Sequence, residues 1–400
     1  MYLTGFGVKI RVSKIESRSD LEIVDGREYK RTMTAYAFQP REIPFDSIFI
    51  DGHSGYISFQ ALHWLARNNI PVFVLNYNGE LISSTLPPMP IKADLREAQF
   101  QAARDLKKKF TIAKAFVEAK IARSLQLLEW LGERYDIERE KTRTKREAMK
   151  LSKASTVIQL RTVEGRVALR YWEAYGKALP ESLGFKGRLT SSHQNNAINP
   201  VNLALNYGYG YLEGECRKAV NIIGLELAVG FLHDFSNYQT KQSLVYDLQE
   251  PFRWLIDLTV MKAFESEKLA CHDFYINDDY YRYYFDNDAK HIFRELLREE
   301  FNSGVRYKGR ILKWDTVIQQ KTSELAKYLS GSTETLSFME PAPVLERFDS
   351  RAVREAILTL SQKEANERGI GKSTLHYLRK RAEARKPFLV YSPVREKIAV

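Results

Sequence analysis

The sequence predicts an α+β protein: a small β-rich N-terminal domain, a large all-helical domain and a C-terminal helix-turn-helix. Three observations carry this reading. Val8-Lys-Ile-Arg-Val12 alternates apolar and polar residues with the period of a half-buried strand. From Ala93 onward, apolar residues recur at helical spacing over more than two hundred residues. Ser361 and Glu364 form a capping box, Gly369 follows as a stop, and a second run with apolar Leu375 and Leu378 comes after it.

Residues 1–85 make up the β-rich domain. Ser47-Ile-Phe-Ile50 and Val72-Phe-Val-Leu75 are short runs suited to buried strands. Between them Tyr56 to Arg67 reads as a helix, with Asn68-Asn69 as its stop. Tyr77-Asn-Gly79 carries a turn signal, and Glu80-Leu-Ile-Ser-Ser84 begins another strand. His53 and His63 fall here and read as structural. Residues 86–92 form a stiff linker around Leu86-Pro-Pro-Met-Pro90, because each proline fixes φ and withholds a donor.

Residues 93–330 are the helical domain. Leu95, Phe100, Leu106, Phe110, Phe116 and Ile121 have apolar spacing for long helices. Glu138 to Lys153 is highly charged and reads as an exposed helix end or loop. In Leu160 to Tyr175, Val167, Leu169 and Tyr171/Trp172 face the bundle, and Glu164 sits early in the helix. Asn199-Pro200 opens another helix that runs towards Gly230, with Gly208, Gly210 and Gly214 allowing close packing. The aromatic run Asp278 to Phe285 reads as core or interface. Residues 331–350 lose periodicity and gain Gly, Ser, Thr and Pro, as a second linker does. In the helix-turn-helix of 351–400, Ser373 caps the second helix. Lys372, Ser373, Thr374, His376, Tyr377, Arg379, Lys380 and Arg381 are then left for a groove or for phosphates.

Four hundred residues suffice for two or three domains and a large core. Two cysteines, Cys216 and Cys271, exclude a disulfide framework and a Cys-type zinc site, which fits a reducing cytoplasm. The first residues show no charged segment leading into an apolar one, and no apolar run approaches membrane-spanning length. The net charge of +11 favours a polyanionic partner, nucleic acid first. Residues 351–400 hold twelve Lys and Arg against five Asp and Glu, so most of that excess sits in the last eighth of the chain.

Chemistry concentrates in Phe231-Leu-His-Asp-Phe235 and Ser243-Leu-Val-Tyr-Asp-Leu-Gln-Glu-Pro-Phe-Arg253. His233, Asp247 and Glu250 lie within eighteen residues, and Asp247 and Glu250 share a helix face by their i, i+3 spacing. One imidazole with carboxylate oxygens suits Mn²⁺ or Mg²⁺. Taken singly, each of these residues is more often a core or solvated side chain than a ligand.

The order of these pieces resembles one family. A small β domain and a Pro linker precede a Glu-Gly helix and Asn199-Pro-Val-Asn with Tyr207-Gly-Tyr-Gly-Tyr211. Gly230-Phe-Leu-His233 and Leu244-Val-Tyr-Asp-Leu-Gln-Glu-Pro-Phe-Arg253 follow, then Val305-Arg-Tyr-Lys-Gly-Arg-Ile-Leu-Lys-Trp314 and Ala326-Lys-Tyr-Leu-Ser-Gly331. This resembles the CRISPR-associated spacer-acquisition integrase over residues 1–330. The added helix-turn-helix is similar to that of the casposases, its transposon-encoded relatives, which is the reading favoured here.

The resemblance implies residue roles and a function. Glu164 matches the family's first metal-binding Glu, His233 its His and Glu250 its last carboxylate ligand. Asp247 matches the acidic position before it, and either ligates directly or supports the ligands. The implied fold pairs an N-terminal dimerisation domain with a helical catalytic domain. The implied reaction is Mn²⁺- or Mg²⁺-dependent transesterification: a 3′-hydroxyl DNA end attacks target DNA, with endonuclease activity alongside. The implied partners are double-stranded DNA, as mobile-element ends and target site, and a homodimer or tetramer, with no membrane. The alternative is the spacer-acquisition enzyme proper, which works with a small partner subunit. A more remote one is a helix-turn-helix regulator, which would leave Glu164, His233, Asp247 and Glu250 without a role.

Overall fold

The computed structural model describes residues 1–3, 7–15, 18–25, 34–40, 42–51, 54–76, 79–85, 92–188, 197–233, 242–277, 282–341 and 351–383. The predicted α+β class holds, with strands gathered at the N-terminus and helices dominating afterwards.

The N-terminal strands are β1 (Tyr2–Leu3), β2 (Val8–Ile15), β3 (Arg18–Asp25), β4 (Thr34–Phe38), β5 (Ile48–Asp51), β6 (Gly55–Ile57), β7 (Val72–Leu75) and β8 (Leu81–Thr85). They form two four-stranded sheets, ordered β4-β3-β2-β6 and β1-β5-β7-β8. The segment read as one helix from Tyr56 divides. Tyr56 joins β6, Ser58 caps α1 (Phe59–Arg67) by accepting from the Ala61 N–H, and His63 stands exposed on it. His53 and the Pro-rich stretch Leu86–Pro90 lie outside the described residues.

The second sheet is buried on both faces. Ile48 and Val72 enter a core with Ile10, Leu21, Trp64 and Leu65, whereas Phe49, Phe73 and Leu75 enter the core of the helical domain. Alternation along a strand sends neighbouring side chains to opposite faces, so this sheet joins the two cores.

The helices that follow are α2 (Ala93–Arg104), α3 (Leu106–Gly132), α4 (Glu138–Ala148), α5 (Val157–Lys177), α6 (Pro200–Ile223), α7 (Ser243–Gln249) and α8 (Arg253–Glu265). Asn199 caps α6 by accepting from the Asn202 N–H, Pro200 is its first residue, and Gly224 ends it in the left-handed conformation, short of Gly230. The α6 glycines are sites of close approach. A Cβ on Gly208 would clash with Ile256, one on Gly210 with the Gly79 carbonyl, and one on Gly214 would come 2.7 Å from Phe49. The helix thus packs on α8 and on the second sheet at once.

Several expectations are corrected. The helical run is interrupted by two hairpins, β9 (Phe274–Asn277) with β10 (Arg282–Phe285) and β11 (Gly304–Tyr307) with β12 (Arg310–Lys313), before α9 (Asn287–Phe301) and α10 (Trp314–Leu329) are complete. Lys308 and Gly309 both have positive φ between the paired Tyr307 and Arg310, which is the two-residue turn that suits strand twist. Of the aromatic run, Phe285 is buried, while Tyr284 stacks on exposed Tyr275 at 5.4 Å. Leu169, Phe100 and Leu106 are exposed rather than packed. The charged stretch after Glu138 is exposed along most of its length as expected, but one face packs inward: Glu140 is buried and pairs with Lys177 at 2.8 Å, and Lys141 pairs with Glu129 at 3.0 Å. Residues 331–341 return to the helical core, where Phe338 stacks on Phe116 at 4.4 Å and Arg123 donates to the Met339 and Pro341 carbonyls.

The C-terminal helices α11 (Arg351–Thr359), α12 (Gln362–Glu367) and α13 (Lys372–Glu383) enclose their own core of Ile357, Leu360, Ala365, Ile370, Leu375, Leu378 and Ala382. The Ser361–Glu364 capping box forms as expected. Ser373 sits within the first turn of α13 and not before it, because the helix already begins at Lys372. Among the described residues, no helix is long and apolar enough to cross a membrane.

Candidate active site

The site is built from three separate parts of the chain. Glu164 projects from the middle of α5, whose N-cap Thr156 accepts from the Gln159 N–H. His233 lies in the segment after α6. Glu250 begins the single 3₁₀ turn, Glu250–Phe252, between α7 and α8. Pro251 is tolerated there because a first turn needs no N–H from that position.

Asp247 organises this arrangement. It is wholly buried at the end of α7. Its Oδ2 accepts the backbone N–H groups of Phe231 at 2.5 Å and Leu232 at 2.9 Å, and its Oδ1 accepts that of His233 at 2.9 Å. The same Oδ1 pairs with His233 Nδ1 at 2.7 Å. A carboxylate is an acceptor, so the ring proton belongs on Nδ1 and the Nε2 lone pair is free to face outward. Nε2 stands 4.0 Å from Glu250 Oε1. Gly230 permits the close approach, since a Cβ there would come 2.9 Å from Asp247 Oδ2 and 2.7 Å from Ser243. With its acceptor sites so used, Asp247 supports His233 and faces away from the cleft.

Lys120, on α3, closes the other side. Its ammonium pairs with Glu164 Oε1 and with Glu250 Oε2, the latter at 2.7 Å. Arg253 Nε lies 3.3 Å from Glu250 Oε1. Burial alone would push the Glu250 carboxyl up, but Arg253 and Lys120, joined by His233 when its ring is protonated, outweigh it and hold it down to about 2. Burial works against the Lys120 ammonium too, and Glu250 with Glu164 more than offsets it. Among the described residues no three His, Cys, Asp or Glu side chains are gathered tightly enough to hold an ion as they stand. The Lys120 ammonium lies between the two glutamates instead.

Lys120, Glu164, Tyr209, Glu250, Arg253 and Asp257 line one cleft. Its floor is a buried hydrogen-bond cluster. Tyr171 donates to Asp257 Oδ2 at 2.7 Å, Tyr209 donates to Oδ1 at 2.5 Å, and Tyr175 donates to the Asp257 carbonyl at 2.8 Å. Burial pushes the Asp257 carboxyl up, against the lowering effect of the two phenols. Arg253 lies over the Tyr209 ring at 4.6 Å. These interactions tie α5, α6 and α8 together beneath Glu164 and Glu250.

Sequence reasoning named Glu164, His233, Asp247 and Glu250: Glu164 and Glu250 line the cleft, His233 stands 4.0 Å from Glu250, and Asp247 backs His233. That reasoning missed Lys120, Arg253 and the Asp257 cluster. Lys120 carried a signal, since it lies on the same helical stripe as buried Phe116 and Val117, where a cation needs a partner. Asp234 lies outside the described residues. In the C-terminal unit, Lys372, Ser373, His376, Tyr377 and Lys380 are exposed and Thr374 is half-buried. Arg379 turns inward and donates to the Ile357 and Leu360 carbonyls at the end of α11. The Arg381 side chain lies outside the described residues.

A family model described as CRISPR associated protein Cas1 matches residues 30–299. The CRISPR-associated endonuclease Cas1 1 of Archaeoglobus fulgidus is 28% identical over 303 residues, covering 71% of this chain and 86% of its own. Its namesake in Saccharolobus solfataricus is 35% identical over 147 residues, 37% of this chain and 41% of its own. Among solved structures, a casposase bound to integration product is 34% identical and superposes with a TM-score of 0.79, over 90% of this chain and 98% of that one. A Cas1 protein from Thermotoga maritima shares the fold at a TM-score of 0.64 and 16% identity, over 83% of this chain and 97% of that one.

Proposed function

Because the chain belongs to the CRISPR-associated Cas1 family, we propose that it is a metal-dependent DNA integrase that joins 3′-hydroxyl DNA ends to target DNA by transesterification, with DNA endonuclease activity beside it. The observation that carries this reading is that Glu164 and Glu250, from segments far apart in sequence, meet on one cation in a cleft, with His233 Nε2 4.0 Å from Glu250. A neutral imidazole nitrogen and two carboxylates suit Mn²⁺ or Mg²⁺.

Glu164, His233 and Glu250 would hold the ion, with Asp247 fixing the histidine's tautomer and ring direction. The bound ion would lower the pKa of the attacking hydroxyl, neutralise the phosphate and steady the leaving 3′-oxygen. Arg253 keeps Glu250 ionised and adds positive charge to the cleft wall. The Asp257 cluster holds α5 and α8 in register, so that Glu164 and Glu250 face one another. Hydrolysis is the same displacement with water as nucleophile, which accounts for the nuclease activity. The exposed Lys372, His376, Tyr377 and Lys380 of α13 supply contacts to duplex DNA.

The casposase reading is favoured by the likeness that spans nine-tenths of the chain, beyond the stretch covered by the Cas1 family model. The spacer-acquisition reading is favoured by relatives whose names are those of CRISPR-associated endonucleases. Purified protein with Mn²⁺, an oligonucleotide bearing a free 3′-hydroxyl and supercoiled plasmid decides between them. Joined product from wild type, and none from His233→Ala, is expected. Joining only after a small partner subunit is added would select the spacer-acquisition enzyme. DNA binding without joining in either condition would remove the integrase reading.

A further inference from the structure

We infer that Lys120 is the resident cation of this site: its ammonium holds Glu164 and Glu250 together in the metal-free protein and has to be displaced for a divalent ion to enter. The inference rests on the metal-dependent reading of the cleft and goes beyond it by assigning the competitor. Lys120 reaches across from α3, an element that carries none of the proposed ligands, and pairs with one oxygen of each glutamate. Glu250 is 4% exposed and the ammonium of Lys120 is within hydrogen-bonding distance, so two like charges face each other in a poorly solvated place with one positive charge between them. Removing that charge leaves the carboxylates repelling each other, and a buried pair missing one partner is costly.

The lysine also sets the site's affinity. An ion that needs the Glu164 and Glu250 oxygens binds only the fraction of molecules in which Lys120 has swung away, and the apparent dissociation constant rises as that fraction falls. Two other contacts at the site do not involve Lys120. Arg253 still pairs with Glu250 at 3.3 Å, and Asp247 still holds His233 through its 2.7 Å contact. Loss of the competitor therefore outweighs loss of order.

The test is Mn²⁺ titration of DNA-free protein by calorimetry, with wild type, Lys120→Met, Lys120→Gln and His233→Ala side by side, and a thermal melt of each with and without the ion. Lys120→Met should bind Mn²⁺ about tenfold more tightly than wild type, as for a site that is open about a tenth of the time. Its metal-free melting temperature should fall and its gain on adding Mn²⁺ should exceed that of wild type. Lys120→Gln, which keeps a polar donor without the charge, gives the same answer if the Met variant does not fold. Equal or weaker binding by both Lys120 variants than by wild type would overturn the role of Lys120 and leave the metal reading standing. No Mn²⁺ binding by any of them would remove both.

Discussion

Asp247 does more for this site than its place in a row of acidic residues suggests. Four donors converge on its two oxygens. Asn at this position would turn an amide NH₂ towards either the Phe231 and Leu232 N–H groups or the His233 pair. Asp247→Asn is expected to cost about 1–3 kcal/mol of stability, the penalty for leaving buried donors unmet. It should also weaken Mn²⁺ binding about 10- to 100-fold, as loss of a ligand's supporting partner does. His233→Ala should abolish Mn²⁺ binding with much less loss of stability, because the imidazole is 37% exposed. Urea melts and calorimetry on both variants check this contrast, and an Asp247→Asn protein of wild-type stability would refute it. The sequence showed His233, Asp247 and Glu250 as a cluster because they lie close along the chain. It could not say which carboxylate turns inward, since that depends on the backbone turn at Gly230. Glu164 was legible only through the family resemblance, because an isolated Glu on a helix carries no sign of what the fold brings opposite it.

Elements were legible where a cap or a period marked them. Asn199-Pro200 located α6, and Ser361 with Glu364 located α12. The β11–β12 hairpin was missed because its turn is Lys308-Gly309, a weaker signal than Asn-Gly, inside a stretch read as helical. What α6 does against the second sheet was out of reach, because its partners there are distant in the chain. There, Lys218 pairs with Asp46 and lies 3.5 Å from Glu215, which is 4% exposed. Burial pushes the Glu215 carboxyl up to about 7 from an ordinary 4.5, with Lys218 opposing. A carboxyl raised in this way holds its proton more tightly in the folded chain. The stability it contributes is therefore fully present below pH 4.5 and is lost as pH rises through about 7. Glu215→Gln removes that loss, so the stability of the variant relative to wild type should rise between about pH 5 and 8, by up to about 3 kcal/mol at roughly 1.36 kcal/mol per pKa unit. The buried Met1 amine, pushed down to about 5 by burial, titrates in the same range and feels the Glu215 charge, so the difference between the two proteins reports both groups together. Urea melts at the two pH values measure it, and a gap that does not widen would contradict the arrangement.

At the scale of the whole molecule, three hydrophobic clusters among the described residues divide the work. One lies in the N-terminal sheets, one runs through the helices and the second sheet, and one belongs to α11–α13 alone. The first two share the second sheet, so the active site and the N-terminal strands stand or fall together. The third is separate, and Arg379 strengthens it by capping the end of α11. The separation follows from the sequence, where residues 351–400 concentrate positive charge after a stretch without periodicity. That stretch is not all linker, because residues up to Pro341 pack on the helical core through Phe338 and Arg123. Deletion of residues 351–400 should therefore leave the melt of the remaining protein and its Mn²⁺ affinity as they were. DNA affinity should fall, and its dependence on salt should flatten by about 0.9 in log–log slope for each phosphate that is no longer neutralised. The pattern separates two sources of DNA affinity. Under the proposed function, phosphates held by the cleft would stay neutralised after the deletion and keep their share of the slope, while those neutralised by Lys372 and Lys380 would be released with the helices. Unchanged affinity and slope after deletion would mean that α11–α13 do not touch DNA, and would assign DNA binding to the catalytic body alone.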